Sequence, residues 1–201
     1  MINLDIGKHY KNLFDKYGDS FKSAQWADKE SQEKRFQILL GIGDIENSSI
    51  LDFGCGTGHL ATYLKGMNIN VNYTGVDIVP EFISCAKEKH PEYNFYLNTD
   101  LPNQKYDYIF ISGVFNNKFD NNRGFYEKTL LDMSNFCNKG IAFNMLSYYV
   151  DYYDDGLFYE NPETIYKFVK KNISPYIVIR NEYQLKKDII PFEFTTYIYM
   201  K

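Results

Sequence analysis

From Ile50 onward the apolar residues fall in short, nearly continuous runs: ILDF, YTGVDI, YNFYL, YDYIFIS and GIAFNML. Runs of this length, rich in β-branched and aromatic residues, predict strands buried on both faces. Between several of them the apolar spacing lengthens to that of a helix. One helix follows Gly58; a second begins at Pro80, a favoured first helical position, and carries Phe82, Ile83 and Ala86. A third, near Gly124 to Phe136, sets Tyr126, Leu130 and Met133 at i, i+4 and i+7. This alternation implies a parallel sheet with helices on both faces.

The two ends of the chain depart from the alternation. Ahead of Ile50, DKESQEKRFQILLGIG places Phe36, Leu39 and Leu40 at helical spacing behind a charged first turn, with Gly41 and Gly43 as stops. The first fifty residues therefore read as helical. After a helix opened by NPETIYKFVKK come YIVIR and FEFTTYIYM with no crossover helix between them, which predicts an antiparallel pair. In the last run Phe192, Phe194, Thr196, Ile198 and Met200 face one way, and Glu193, Thr195, Tyr197 and Tyr199 the other. The expectation is one α/β domain over residues 1–201, its sheet ending in an antiparallel edge.

The stretch ILDFGCGTGHLATYL carries the chemistry. A strand that turns directly into a helix presents free N–H groups and a positive dipole end at the sheet's carboxyl edge. Gly54, Gly56 and Gly58 let a ligand approach the backbone there. Their G-x-G-x-G spacing, with His59 where the dinucleotide fingerprint wants a glycine, disfavours a pyrophosphate. Asp52, two residues ahead of Gly54, suits a cationic group. Asp77, nineteen residues beyond Gly58, ends the second strand where an acid can accept both hydroxyls of a ribose. The third strand ends in LNTDLP, where Thr99, Asp100 and Leu101 flank the position of an adenine.

Taken in order, LDFGCGTG, YTGVDIVPEFISCAKEKHP, NTDLP and YDYIFISG resemble the successive motifs of class I S-adenosylmethionine-dependent methyltransferases, over about Ile50 to Ala142. The resemblance implies a Rossmann-like, mostly parallel seven-stranded sheet with the last strand antiparallel. It implies S-adenosyl-L-methionine as cofactor. Asp52, Gly54, Cys55, Gly56 and Gly58 would line its methionine part, Asp77 with Ile78 its ribose, and Thr99, Asp100 and Leu101 its adenine; Ser112, Gly113 and Val114 would close over it. The flanks YGDSFKSAQW, SQEKRF, SGVFN, FNMLS and FEFTTYIY are similar to small stand-alone bacterial methyltransferases found with surface-polysaccharide genes. That second resemblance implies an N-terminal helical lid over residues 1–45 on a cofactor-binding core of residues 50–201. Tyr17, Gln25 and Trp26 would lie at the lid's edge, and Arg35 would reach the cofactor carboxylate; Arg35 also reads as a solvated charge on a helix face.

Composition narrows the partners. A net charge of −4 and a pI near 5.4 leave little attraction for nucleic acid. No apolar run approaches a membrane span. Three widely spaced cysteines and three histidines without metal-ligand spacing give no disulfide framework and no metal site. The start of the chain has no export pattern, so a cytoplasmic location is expected, and the oligomeric state is open.

Methyl transfer from a sulfonium is an in-line displacement that asks mainly for positioning and exclusion of water. For a hydroxyl acceptor a base within reach helps, and His9, in the lid, is the candidate; His59 reads as a helix-start residue packed beside the cofactor. An anionic phosphate-type oxygen would need cations such as Lys118 or Arg123 instead. Loops after the fourth and fifth strands offer Asn116, Asn144, Ser147, Tyr148 and Tyr152 to an acceptor. The fourth strand is followed by Ser-Gly-Val-Phe, unlike the Asn/Asp-Pro-Pro-aromatic motif of families that methylate base or glutamine nitrogens. This argues against those nitrogen acceptors, and the second resemblance implies methylation of an oxygen on a sugar or phosphorylated precursor of surface polysaccharide as the expected activity. The rivals are an NAD-linked oxidoreductase and a cofactor-binding protein without turnover.

Overall fold

Strands buried on both faces need cover on both sides, and the fold supplies it. In the computed structural model, which describes residues 2–200 and side chains from residue 6 onward, β1 (Ser49–Phe53), β2 (Asn72–Asp77), β3 (Asn94–Leu97), β4 (Tyr106–Ile111) and β5 (Cys137–Ser147) run parallel. A two-residue β6 (Tyr159–Glu160) pairs with the end of β5, one strand beyond the expected seven. β7 (Tyr176–Arg180) forms the edge, and β8 (Glu193–Tyr199) lies antiparallel between β5 and β7. The spatial order is β3-β2-β1-β4-β5-β8-β7.

Alternation along each strand sends neighbouring residues into different cores. Ile50, Phe110, Ala142 and Tyr197 pack with α2 (Lys29–Leu40), α3 (His59–Gly66) and α4 (Pro80–Lys89). Leu51, Ile109, Phe143, Phe194 and Ile198 pack on the opposite face with α5 (Asn122–Ser134) and α6 (Pro162–Asn172). Each fully buried Ile, Leu or Phe contributes roughly 1.5–3 kcal/mol relative to exposure, so a one-residue slip in any strand would forfeit both cores. From Phe194 onward the split of FEFTTYIYM into two faces is thus the split between cores; Phe192, expected on the face of Phe194, precedes β8 and packs instead beside Ile38, Tyr183 and Leu185.

Residues before β1 form a helical cap on the carboxyl edge. α1 (Ile2–Tyr17) rests on α4 through Phe14 and Phe82, whose ring centroids are 5.4 Å apart. A 3-10 turn (Phe21–Ala24) follows, and Asp28 opens α2 by accepting a hydrogen bond from the Ser31 amide at 2.6 Å. Among the described residues no helix is long and apolar enough to cross a membrane.

Candidate functional site

The carboxyl ends of β1, β2 and β4 open into a cleft of about 360 Å³, roofed by residues from α1, the 3-10 turn and α2 and closed at the far end by Lys186 and Phe192. That size lies within the range of small-molecule sites, roughly 300–1,000 Å³.

The three glycines after β1 are all left-handed, at φ 82, 54 and 77 for Gly54, Gly56 and Gly58, yet they do different things. A Cβ at Gly54 would stand 2.4 Å from Val114 Cγ2, so this glycine admits the loop that follows β4. Gly58 precedes α3 and does not line the cleft; a Cβ there would press on His90 at 3.1 Å and Phe95 at 3.3 Å. Gly56 alone of the three faces open space, with no atom within 4 Å of where its Cβ would be. It is the cradle in which a ligand can touch backbone.

Two buried carboxylates flank that cradle. Asp77 accepts hydrogen bonds from the Gly56 amide at 2.9 Å and the Val79 amide at 3.0 Å. Burial raises its pKa, and those amides oppose the rise. Asp52 accepts from the Tyr73 hydroxyl at 2.5 Å, and burial pushes its pKa up to about 7. Among the described residues neither acid pairs with a basic side chain. The site is therefore short of positive charge, and a cationic ligand would relieve the deficit.

Polar atoms without partners mark the rest of the lining. Ser112 Oγ, Asn98 Oδ1 and Asn116 Oδ1 are buried with no hydrogen bond, and all three residues face the cleft. Buried polar groups normally have partners, so these point to a ligand. Asn144 accepts from the Gly113 amide at 2.8 Å and so shapes the end of β4 from beneath. A Cβ on Gly113 would sit 2.7 Å from the Trp26 ring. The residues present fit S-adenosyl-L-methionine: a glycine cradle, unpaired acids for a cation, and unmet hydrogen-bonding atoms.

Most of the expected cofactor residues come together here: Trp26, Arg35, Asp52, Gly54, Cys55, Gly56, Asp77, Ile78, Ser112 and Gly113 all line the cleft, as does Asn116 from the acceptor set. Others do not. Thr99 and Asp100 are exposed and bonded to each other at 3.1 Å; the residue of that segment that lines the cleft is Asn98. Leu101 packs beside the α5 and α6 core instead. Tyr17, Tyr148 and Tyr152 are exposed and outside the lining, and Ser147 is buried beneath it, accepting from the Tyr149 amide at 3.2 Å. His9 points to solvent, whereas Tyr10 lines the cleft, accepts from Asn117 Nδ2 at 2.7 Å, and has its pKa pushed up to about 12 by burial. The helical pairing of Tyr10 with Phe14 was the sequence signal for the inward face. Arg35 is not a solvated charge: it is 6% exposed and its Nε donates to Glu193 at 2.8 Å. Lys118 is exposed and outside the cleft, and Arg123, also outside it, pairs with Glu160 at 3.1 Å. Asp19, passed over in the sequence, ties the cap to the glycine loop by accepting from Thr57 at 2.5 Å and from Lys89 at 2.9 Å.

Fold and site together define a class of enzyme: a seven-stranded-type α/β methyltransferase built around a glycine cradle. Comparison with known proteins agrees. A family described as "Methyltransferase domain" matches residues 51–130. The Mycobacterium tuberculosis protein named "Putative methyltransferase Rv1506c" is 30% identical over 156 residues, spanning 73% of this chain and 90% of that protein. A malonyl-[acyl-carrier protein] O-methyltransferase of Acetivibrio thermocellus is 34% identical over 92 residues, 42% of this chain and 32% of the relative. In fold the chain is similar to magnesium protoporphyrin IX methyltransferase (ChlM) from Synechocystis PCC 6803 with bound SAH, at TM-score 0.67 and 12% identity, covering 99% of this chain and 96% of that one. The chain belongs to the class I S-adenosylmethionine-dependent methyltransferase family, and S-adenosyl-L-methionine is its cofactor.

Proposed function

We propose that the chain methylates an oxygen of a small polar acceptor, a sugar or phosphorylated precursor of surface polysaccharide, in the cytoplasm. The observation that carries the choice of a small, hydrogen-bonding acceptor is the unpartnered Asn116 Oδ1 inside a roofed cleft, an acceptor atom waiting for an O–H or N–H donor. Phe125, Leu146, Leu157 and Phe192 line the same end, so the acceptor would present an apolar face beside its hydroxyl.

The bound cofactor supplies an electrophilic methyl group on a sulfonium. The chain's part is to hold and orient. Asp77 would take the ribose hydroxyls, Asn98 the adenine amino group, and Asp52 the cationic end, while Ser112 and Gly113 would border the transferred group. With His9 in solvent, no base is assigned to it. His59 does line the cleft, with its pKa lowered first by burial and then by Lys89, so it is neutral near pH 7. Residues 1–45 would act as a lid on the 50–201 core, with Tyr10, Trp26 and Asp19 as its points of attachment. Positioning and exclusion of water are the contributions asked of the protein.

The test is a screen of nucleotide sugars and sugar phosphates with methyl-labelled cofactor. Label in one of these acceptors, with S-adenosylhomocysteine formed only when it is present, would support the proposal and exclude a protein that binds without turnover. Label entering only protein, nucleic acid or nitrogen acceptors would overturn it.

A further inference from the structure

Trp26 is the chain's single tryptophan, and three features hold its ring: the turn just before it, the end of β4 and an arginine of α2. Gln25, just before it, ends the 3-10 turn at φ 59, a left-handed conformation that a non-glycine residue adopts only at a cost. Gly113, at the end of β4, lies so close beneath the ring that a Cβ would meet Cη2 and Cζ2 at 2.7 Å. The Arg35 guanidinium stacks on the ring, 4.2 Å from its centroid. Arg35 is in turn fixed from two sides: Nε donates to Glu193 Oε2 at 2.8 Å and Nη1 donates to the Ser31 carbonyl at 3.0 Å.

Glu193 opens β8 and is 1% exposed, yet it does not line the cleft. Its other oxygen accepts from the Tyr183 hydroxyl at 3.3 Å, and Tyr183 shares a 2.8 Å hydrogen bond with Thr195. A buried ion pair is a poor source of stability, because the desolvation of two charges offsets most of their attraction. It can still fix a planar guanidinium in one orientation: here the Nε bond to the carboxylate and the Nη1 bond to the Ser31 carbonyl hold it at two points.

We infer that Glu193 is a positioning residue for methyl transfer: through Arg35 it fixes the Trp26 ring against Gly113, where the cofactor half of the cleft meets the acceptor half. The consequence for methyl transfer rests on the function proposed above; the coupling itself does not. Without Glu193 the guanidinium keeps only its bond to the Ser31 carbonyl and can move off the indole, which loosens the ring's hold on the end of β4.

The experiment uses the full chain and tryptophan-selective fluorescence, with acrylamide as quencher and S-adenosylhomocysteine as ligand. Glu193→Gln keeps an acceptor oxygen for Arg35 and should retain most of the wild-type shielding of Trp26. The double change Arg35→Met with Glu193→Met removes both charges together, leaves no orphaned ion, and should melt near the wild type. A purely structural pair would show nothing more. A positioning pair would still leave Trp26 open to acrylamide in the ligand-free double variant, and that shielding decides the coupling, because Arg35 itself lines the cleft and its loss can change affinity directly. Wild-type shielding in a folded double variant would overturn the inference. If wild-type Trp26 emission ignores S-adenosylhomocysteine, the site assignment fails, and quenching of the ligand-free proteins still decides the coupling.

Discussion

The two halves of the cleft are built by different means. Over β1, β2 and β4 the cofactor half is made from backbone and short side chains: Gly56 as cradle, Asp52 and Asp77 as buried acids, Ser112 and Gly113 at the strand end. The part of the lining proposed above for the acceptor is made from long side chains delivered by separate loops, among them Leu157, Lys186 and Phe192. The first part depends on conformations that few residues can adopt. The second depends on which side chains the loops carry, and can change without disturbing the sheet. On the proposed function, a general cofactor and a particular acceptor would be served by separable parts of one cleft.

The largest effect should come from the buried ion pair that joins α2 to β8. Arg35→Ala leaves Glu193 buried and uncompensated, and should cost about 3–5 kcal/mol of stability in urea unfolding. An unchanged midpoint would mean that Glu193 finds another partner or takes up a proton. Next, the glycine loop should split cleanly. Gly58→Ala meets His90 and Phe95, so it should lose about 1–3 kcal/mol of stability. Gly56→Ala meets nothing, so only about 1–2 kcal/mol of left-handed strain should appear, while its methyl fills the cradle and weakens S-adenosylhomocysteine binding well beyond the Gly58 change. The reverse ranking in calorimetry would contradict the division of labour.

Asp52 predicts a pH dependence. Its folded pKa is raised to about 7, so in the cofactor-free protein it favours the protonated form. Its contribution to stability is full below about pH 4, near the unfolded value, and is lost as pH rises through 7. A cation bound beside it would draw the proton off. Cofactor affinity should therefore rise between about pH 6 and 8 with release of a proton, seen as a dependence of binding heat on the buffer, and Asp52→Asn should abolish that dependence. The smallest effect belongs to Tyr152, 77% exposed and outside the lining: Tyr152→Ala should move stability by less than about 0.5 kcal/mol and leave cofactor affinity unchanged.

What the sequence disclosed follows the same division. The strands, the antiparallel β8, the glycine loop and Asp77's place at a strand end were legible because short continuous apolar runs, the alternation of the last run, strand-end acids and glycine spacing are local signals. β6, only two residues long and paired by register to Leu146 and Ser147, leaves no such signal. The acceptor half was misjudged for a related reason. Tyr148 and Tyr152 look like ligand contacts in a tyrosine-rich loop, but only tertiary packing decides that these two stay outside the lining while Leu157 of the same loop, and Phe192 next to a strand, face in. His9 and Tyr10 are adjacent, and helical phase alone separates solvent from cleft. Arg35 required Glu193, 158 residues away, before its burial could be understood.

The proposed site puts the cofactor in the Gly56 cradle against Asp77. Calorimetric titration of S-adenosylhomocysteine into wild type and Asp77→Ala tests it most directly, with melting measured alongside because Asp77 also accepts from the Gly56 and Val79 amides. The expected result is one site in the wild type and a loss of about 2–4 kcal/mol of binding in the variant, tens-fold or more, with the sheet still folded. Equal affinity in a folded Asp77→Ala protein would contradict the claim.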